Sequence, residues 1–212
     1  MDLSVLVPVL NRPHRVKPVA ESIRATVPDA HVLFVCDPTD EQTQAEVDAA
    51  GCDMIAPGGG YASKINDGVR ATDRPLLFLG ADDLHFHPGW FQQACSNLSD
   101  QVHVVGVNDL CSRRVQAGVH ATHFLMTREY AERPTIDGAR GPLSEVYDHS
   151  FVDDELVATA SVRGTLVIDR LAVVEHMHPD AGKSDWDAVY QKGRARIRND
   201  RATFQSRMPL WT

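Results

Sequence analysis

No stretch of this 212-residue chain approaches the roughly 20 consecutive apolar residues that a membrane-spanning helix requires. The opening, MDLSVLVPVLNRP, has an acid at position 2 and no basic segment, so it does not read as a signal peptide. Cysteine is sparse. Cys36, Cys52, Cys95 and Cys111 stand alone with no CxxC pair, which argues against a structural zinc site or a disulfide framework. A reducing cytoplasm is the simplest home for such a chain. Glycine is missing where a dinucleotide fingerprint needs it, because Val7-Pro8-Val9 closes the first apolar run without one. The triple Gly58-Gly59-Gly60 is not a Walker loop either, since Lys64 follows Ser63 and not a glycine. No HExxH, no Ser-His-Asp order and no reactive-cysteine context is present. Positive charge is also short: a net charge of −8 does not suggest a general nucleic-acid binder.

What is present is an ordinary globular composition, 43% hydrophobic and 24% charged, in a length that suits one domain. The charge is uneven. Residues 183–212 carry seven Lys/Arg against three Asp, leaving 14 Lys/Arg and 26 Asp/Glu in the preceding part. An acidic body (−12) therefore bears a basic tail (+4), which either touches phosphates or forms a solvated helix face.

Strand and helix patterns alternate at short intervals through the first half. Residues 3–10 read as a buried strand and Val16–Thr26 as a helix. Residues 31–37 read as a second strand, and 41–51 as a helix closed by Gly51. A short strand at 52–57 leads through Gly58–Gly60 into a helix near 61–72, and 75–80 is a fourth strand. Further on, the pattern predicts strands at 102–107 and 164–168, a helix near 153–163 and a basic helix after Ser184. Such alternation implies an α/β domain with an open, mostly parallel sheet flanked by helices. Ligands of such sheets gather beyond the carboxyl ends of the strands. That rule lines up Asn11-Arg12, Asp37, Gly58–Gly60 and Asp82-Asp83 on one rim.

Four constellations on or near that rim carry chemistry. The helix after the triple glycine brings Lys64, Asn66 and Gly68, which suits a diphosphate; an ordinary loop and helix would look the same. Asp37 either accepts from a ribose or base edge or simply forms a turn before Pro38. Asp82 and Asp83 are adjacent carboxylates, favourable when a divalent cation neutralises them, whereas a helix cap would use one only. Downstream, His176 and His178 would share one side of an extended segment and could complete a metal shell, or be structural. His85 and His87 could do likewise, but they sit just beyond the aspartates and read as facing solvent or acceptor, while His123 and His149 read as packing or surface residues. Last, Asp153-Asp154-Glu155 open an apparent helix, where acids favour the helix dipole, and where one could serve as a general base.

The opening VLVPVLNRP, Asp37, YASKINDGVRAT, LFLGADDLHFHPGW and FVDDEL together resemble the nucleotide-sugar glycosyltransferases of the A-type (GT-A) fold, particularly the inverting family 2. The likeness covers about residues 3–178 and is weak between 109 and 145. Gly80 stands where the family commonly has a first acid. The resemblance implies a GT-A-like, Rossmann-type sheet in a single domain spanning 1–212. It divides into a nucleotide-sugar half (1–108), an acceptor half (109–182) and the basic tail (183–212). It implies a UDP-sugar or related donor held by Pro8, Asn11, Arg12, Asp37, Lys64, Asn66, Gly68 and Asp82, with Lys183, Lys192 and Arg194 adding positive charge. A divalent cation, Mn²⁺ in preference to Mg²⁺, would sit on Asp82, Asp83 and His176 or His178. Asp153, or failing it Asp154, would deprotonate an acceptor hydroxyl of unknown identity. Two rivals are a transferase acting on modified DNA and a non-catalytic nucleotide-sugar-binding module. A nucleotidyltransferase would require glycines after the first strand that are not there.

Overall fold

A computed structural model of the chain describes residues 2–212; Met1, the first residue of the expected domain, lies outside them. The first half follows the expected alternation. Strand β1 (Leu3–Pro8) leads into helix α1 (Pro13–Thr26), β2 (His31–Val35) into α2 (Glu41–Ala49), and β3 (Asp53–Ile55) into α3 (Tyr61–Arg70). β4 (Leu76–Leu79) then gives way to β5 (Leu84–Phe86) and α4 (Trp90–Cys95). After β6 (Val104–Asn108) come a short α5 (Arg113–Gln116), β7 (Phe124–Thr127) and a short α6 (Arg128–Ala131). α7 (Val152–Val162), β8 (Leu166–His176) and the long α8 (Ala188–Arg207) complete the chain.

The local causes are ordinary ones. Pro13 lies in the first turn of α1, where its missing N–H is not needed. Asp40 caps α2 by accepting from Thr43 N, and Asp187 caps α8 by accepting from Val189 and Tyr190. Gly68 lets α3 lie close on the sheet, since a Cβ there would meet Leu6 and Val35 side chains at 3.2–3.3 Å.

Among the described residues eight strands form one sheet in the order β3-β2-β1-β4-β7-β6-β8-β5. The first four strands are parallel throughout, β3 to β2 to β1 to β4. Antiparallel pairings enter with β7 against β4 and β6 and with β5 against β8, while β6 and β8 run parallel. The sheet is thus mixed in the second half. β7 and β5 were not evident from sequence, because runs of four and three residues are too short to show a period. The strand predicted at 164–168 instead runs on to His176, with a register shift where it pairs with Asn108. That extension carries the chain from the core to the rim.

Both faces of the sheet are covered, so β1 is buried along its whole length. Leu3, Val5 and Val7 enter one core with Phe34, Phe78 and Trp90; Leu6 enters the other with Leu77, Phe124 and Tyr130. Among the described residues no helix is long and apolar enough to cross a membrane.

Candidate active site

Because β1, β2 and β4 are parallel neighbours, their carboxyl ends lie side by side, and the expected rim forms. Asn11 takes a left-handed conformation (φ 52°), and its N–H donates to Asp40 at 2.6 Å. Buried Pro8 ends β1 in register with Val35. Asp37 forms the turn before Pro38: one of its oxygens accepts from Thr39 N (3.1 Å) and Thr39 Oγ1 (2.7 Å), which lowers its pKa. Lys64 is buried under the rim and donates to Val9 O at 2.7 Å; burial lowers its pKa against the pull of Asp37, Asp40 and Asp82.

Two of the expected donor residues are engaged elsewhere. Asn66 is fully buried and bonds both backbone groups of Leu143 (2.9 and 3.2 Å) and the Glu145 carboxylate (2.8 Å). It anchors the 141–145 loop, with Gly141 (φ 96°) lying against its amide. Gly68 faces Leu6 and Val35, so its role is packing. The Lys-x-Asn-x-Gly spacing winds these residues around a helix, so they do not converge on one ligand.

Asp82 and Asp83 lie in the link between β4 and β5, both buried. Each already has a basic partner from a distant segment. Asp82 accepts from Arg12 Nη1 at 2.9 Å, while burial and its charged neighbour Asp83 push its pKa upward. Asp83 accepts from His176 Nε2 (3.1 Å) and from the Tyr190 hydroxyl (2.7 Å). Burial opposes its ionisation, but those partners hold it well below the usual carboxylate range. Burial lowers the pKa of His176, but Asp83 more than offsets it and raises it above the ordinary value.

The second histidine of the pair is already engaged by a neighbour. The two rings are neighbours, with centroids 5.0 Å apart, so His178 does share the side of His176. Its Nδ1, however, accepts from Asp180 N at 3.1 Å. In the neutral ring that leaves the proton on Nε2, a donor and not a metal ligand. His123, expected as packing, is instead part of this cluster: its ring lies 5.1 Å from that of His176. Burial and the charge on His176 push its pKa down to about 4.

The acidic start of α7 forms the other side of the site. Asp153 accepts from His120 Nε2 at 3.1 Å, and Asp154 from Arg114 Nη1 at 2.7 Å. Ligand atoms of His120, Asp153 and Asp154 lie within 4.8 Å of one another. Burial raises the Asp153 pKa, yet the His120 bond and charge and the backbone N–H groups of its own helix start bring it below the ordinary value. Tyr61, whose hydroxyl donates to Gly80 O at 3.2 Å, lies within electrostatic reach of both Asp83 and Asp153. Both acidic clusters therefore lie within electrostatic reach of one side chain, Tyr61.

The basic tail closes this arrangement. Asp187 takes the Arg12 guanidinium through two bonds, 2.8 and 2.9 Å, and Tyr190 lies under the same guanidinium at 3.9 Å. Further along α8, buried Asp200 accepts from the backbone N–H groups of Asp148, His149 and Ser150 (2.8–3.0 Å), just before α7. Arg207 grips Glu155 on α7 with two bonds of 2.7 Å. Lys183 and Arg194, expected to add positive charge toward a donor, pair with Glu175 and Asp180 instead. Sequence reasoning missed His120, Tyr190 and Asp187 in this site. The first sits in an irregular stretch and the other two in a segment read for its charge alone.

A family model described as "Glycosyltransferase like family 2" matches residues 2–141. No curated protein matches the chain in sequence. Among solved structures, glucosyl-3-phosphoglycerate synthase from Mycobacterium tuberculosis in complex with Mn²⁺ and UDP-glucose aligns with a TM-score of 0.69 at 17% identity, over 97% of this chain and 78% of that one. The same enzyme with Mn²⁺, UDP-glucose and phosphoglyceric acid gives 0.68 at 16%, over 97% and 79%. Its complex with Mg²⁺ and UDP gives 0.63 at 14%, over 93% and 78%.

Proposed function

This chain belongs to glycosyltransferase family 2, and on that premise we propose that it transfers a sugar from a nucleoside diphosphate sugar to an acceptor hydroxyl with inversion, aided by a divalent cation. The observation that carries the reading is Asp153: a half-buried carboxylate kept ionised by His120, facing the same site as Asp82 and Asp83. A general base needs that charge state at neutral pH and a fixed orientation. Asp154 is a poorer base because Arg114 already neutralises it.

On the donor side, the nucleoside lies over Pro8, Asn11 and Asp37, whose second carboxylate oxygen is left for a ribose or base. Arg12 is buried at the rim, and its planar fork now grips a carboxylate from Asp187 as it would a phosphate. Lys64 adds charge from below. A UDP-sugar is the preferred donor, and the neighbouring synthase structures hold UDP and UDP-glucose.

The chemistry of the donor set suits a divalent cation. Asp82 and Asp83 offer carboxylate oxygens and His176 an imidazole nitrogen already against Asp83. A mixed oxygen and nitrogen set suits Mn²⁺ better than Mg²⁺; the neighbours hold one or the other. When bound, the cation supplies Lewis-acid stabilisation of charge on the departing diphosphate. This chain's own groups hold the donor at the rim, and Asp153 takes the acceptor proton.

Against a DNA acceptor, four of the tail's seven cations, Lys183, Arg194, Arg196 and Arg207, are already paired with Glu175, Asp180, Asp148 and Glu155. The test is Asp153→Asn assayed against UDP-sugars. Transfer should collapse while donor binding, followed by thermal shift with Mn²⁺, persists. Unchanged turnover would remove Asp153 from the base role, and a null shift across UDP-, GDP- and dTDP-sugars would remove the donor assignment.

A further inference from the structure

We propose that Tyr61 binds the transferred sugar, its hydroxyl oxygen accepting a hydrogen bond from one sugar hydroxyl. This rests on the nucleotide-sugar reading above and assigns a side chain to the part of the donor that reading leaves unplaced.

In an inverting transfer the acceptor oxygen enters opposite the departing diphosphate. The transferred ring therefore lies between the base, Asp153, and the diphosphate-side carboxylates, Asp82 and Asp83. Tyr61 stands in that interval. It is the first residue of α3, and its hydroxyl reaches Gly80 O at 3.2 Å, just before Asp82 in the chain. On its other flank, a Cβ added at Gly60 would lie 3.4 Å from Asp148 O, in the segment leading to α7. The half-buried ring packs against the core that contains Val152, the first residue of α7. Asp83 and Asp153 both lie within its electrostatic reach. The strand end cannot supply a side chain of its own here, since a Cβ at Gly80 would meet Leu6 O at 2.9 Å. A phenol carries one donor proton and two acceptor lone pairs. A carbonyl only accepts, so the proton points to Gly80 O, and burial together with the two acids keeps it there by raising the pKa. Among the described residues no N–H or O–H donates to the Tyr61 oxygen. Asp83 is meanwhile engaged by His176 and Tyr190, and Asp153 by His120. A neutral acceptor held rigidly between two engaged carboxylates suits a hydroxyl on an uncharged ring.

The experiment uses the full chain with Mn²⁺ and measures the affinities of UDP, UDP-glucose, UDP-galactose and UDP-N-acetylglucosamine by calorimetry. The sugar nucleotide that binds the wild type most tightly is then compared with its monodeoxy analogues. In Tyr61→Phe, UDP should bind as in the wild type, while the sugar nucleotide weakens about 3- to 10-fold, the worth of one neutral hydrogen bond. With one monodeoxy analogue the wild type and Tyr61→Phe should bind equally, because the hydroxyl that Tyr61 meets is gone. A purely structural role would instead weaken UDP and every analogue by one factor. Thermal unfolding verifies that the variant is folded, and the wild-type affinities are a test without it. Binding of UDP but of no UDP-sugar, a sugar nucleotide unaffected by Tyr61→Phe, or a uniform loss that includes UDP would each overturn the assignment. The donor reading would survive in all three, since UDP binds. Failure of the wild type to bind UDP would remove the donor reading and this inference with it.

Discussion

Replacing Arg207 with methionine isolates what the long C-terminal helix contributes. Glu155 is 3% exposed, and its carboxylate is met by Arg207 through two 2.7 Å bonds and by the Tyr147 hydroxyl at 2.6 Å. Burial works against the Arg207 charge, but Glu155 and Asp137 more than offset it and raise its pKa. Removing one partner of a buried pair costs about 3–5 kcal/mol, because the other charge stays behind without compensation. Here Tyr147 remains and the Arg207 side chain is 14% exposed, so the lower end, about 3 kcal/mol, is expected. For a chain of this length, unfolding entropy converts each kcal/mol into about 2 °C, which gives a loss of about 6 °C. Urea and thermal denaturation of Arg207→Met measure it directly. The double variant Glu155→Leu/Arg207→Met should recover at least half of the loss, since an apolar pair of similar volume needs no counter-charge. A loss under about 1 kcal/mol, the range of an exposed pair, would refute the claim that α8 is clamped onto α7.

The remaining predictions concern the site. His120→Ala should move the acid limb of kcat/KM to higher pH: Asp153 works ionised, its pKa is held down by His120, and activity is lost as pH falls through that value. His120→Asn, which can still donate, should largely restore the wild-type profile; an unmoved limb in His120→Ala would exclude His120 as the positioning residue. Asn66→Ala should destabilise the chain by about 1–3 kcal/mol by orphaning the Leu143 backbone, with UDP affinity unchanged in calorimetry; lost affinity at full stability would return Asn66 to the donor site. Asp187→Asn keeps an acceptor for the α8 cap but takes the anion off Arg12, and UDP should bind up to about fivefold tighter, equivalent to roughly 1 kcal/mol. Weaker UDP binding would place Asp187 among the groups that hold the donor.

The parallel half was legible because its signals are local. Buried strands, a cap at Asp40 and a proline at the start of α1 each act within a few residues. From the parallel order, the rim with Asn11, Arg12, Asp37 and Asp82-Asp83 follows by a general rule. The second half was not legible for a physical reason. β5 and β7 are short antiparallel strands whose position depends on distant partners, as in Leu79 against Phe124 and Phe86 against Val174. His120 and His123 lie just before one of them, so their roles appear only when that pairing is known. The spacing of Lys64, Asn66 and Gly68 misled for the opposite reason: three residues near in sequence were assigned one ligand, and the helix turns each toward a different neighbour.

The adjacent carboxylates show how charge is resolved in this site. Two buried acids side by side need compensation, and the chain supplies it from both ends: Arg12 just after β1, His176 at the end of β8 and the Tyr190 hydroxyl from α8. A donor that brought a diphosphate with its cation would meet groups already paired, so binding is an exchange of partners. Asp187 would yield Arg12 to phosphate, and Tyr190 and the proton on His176 would leave Asp83. All of the displaced groups from the tail lie on or beside the first turn of α8, while its later turns hold α7 through Asp200 and Arg207. The tail groups that exchange at the rim are thus separate from those that hold Asp153 on α7.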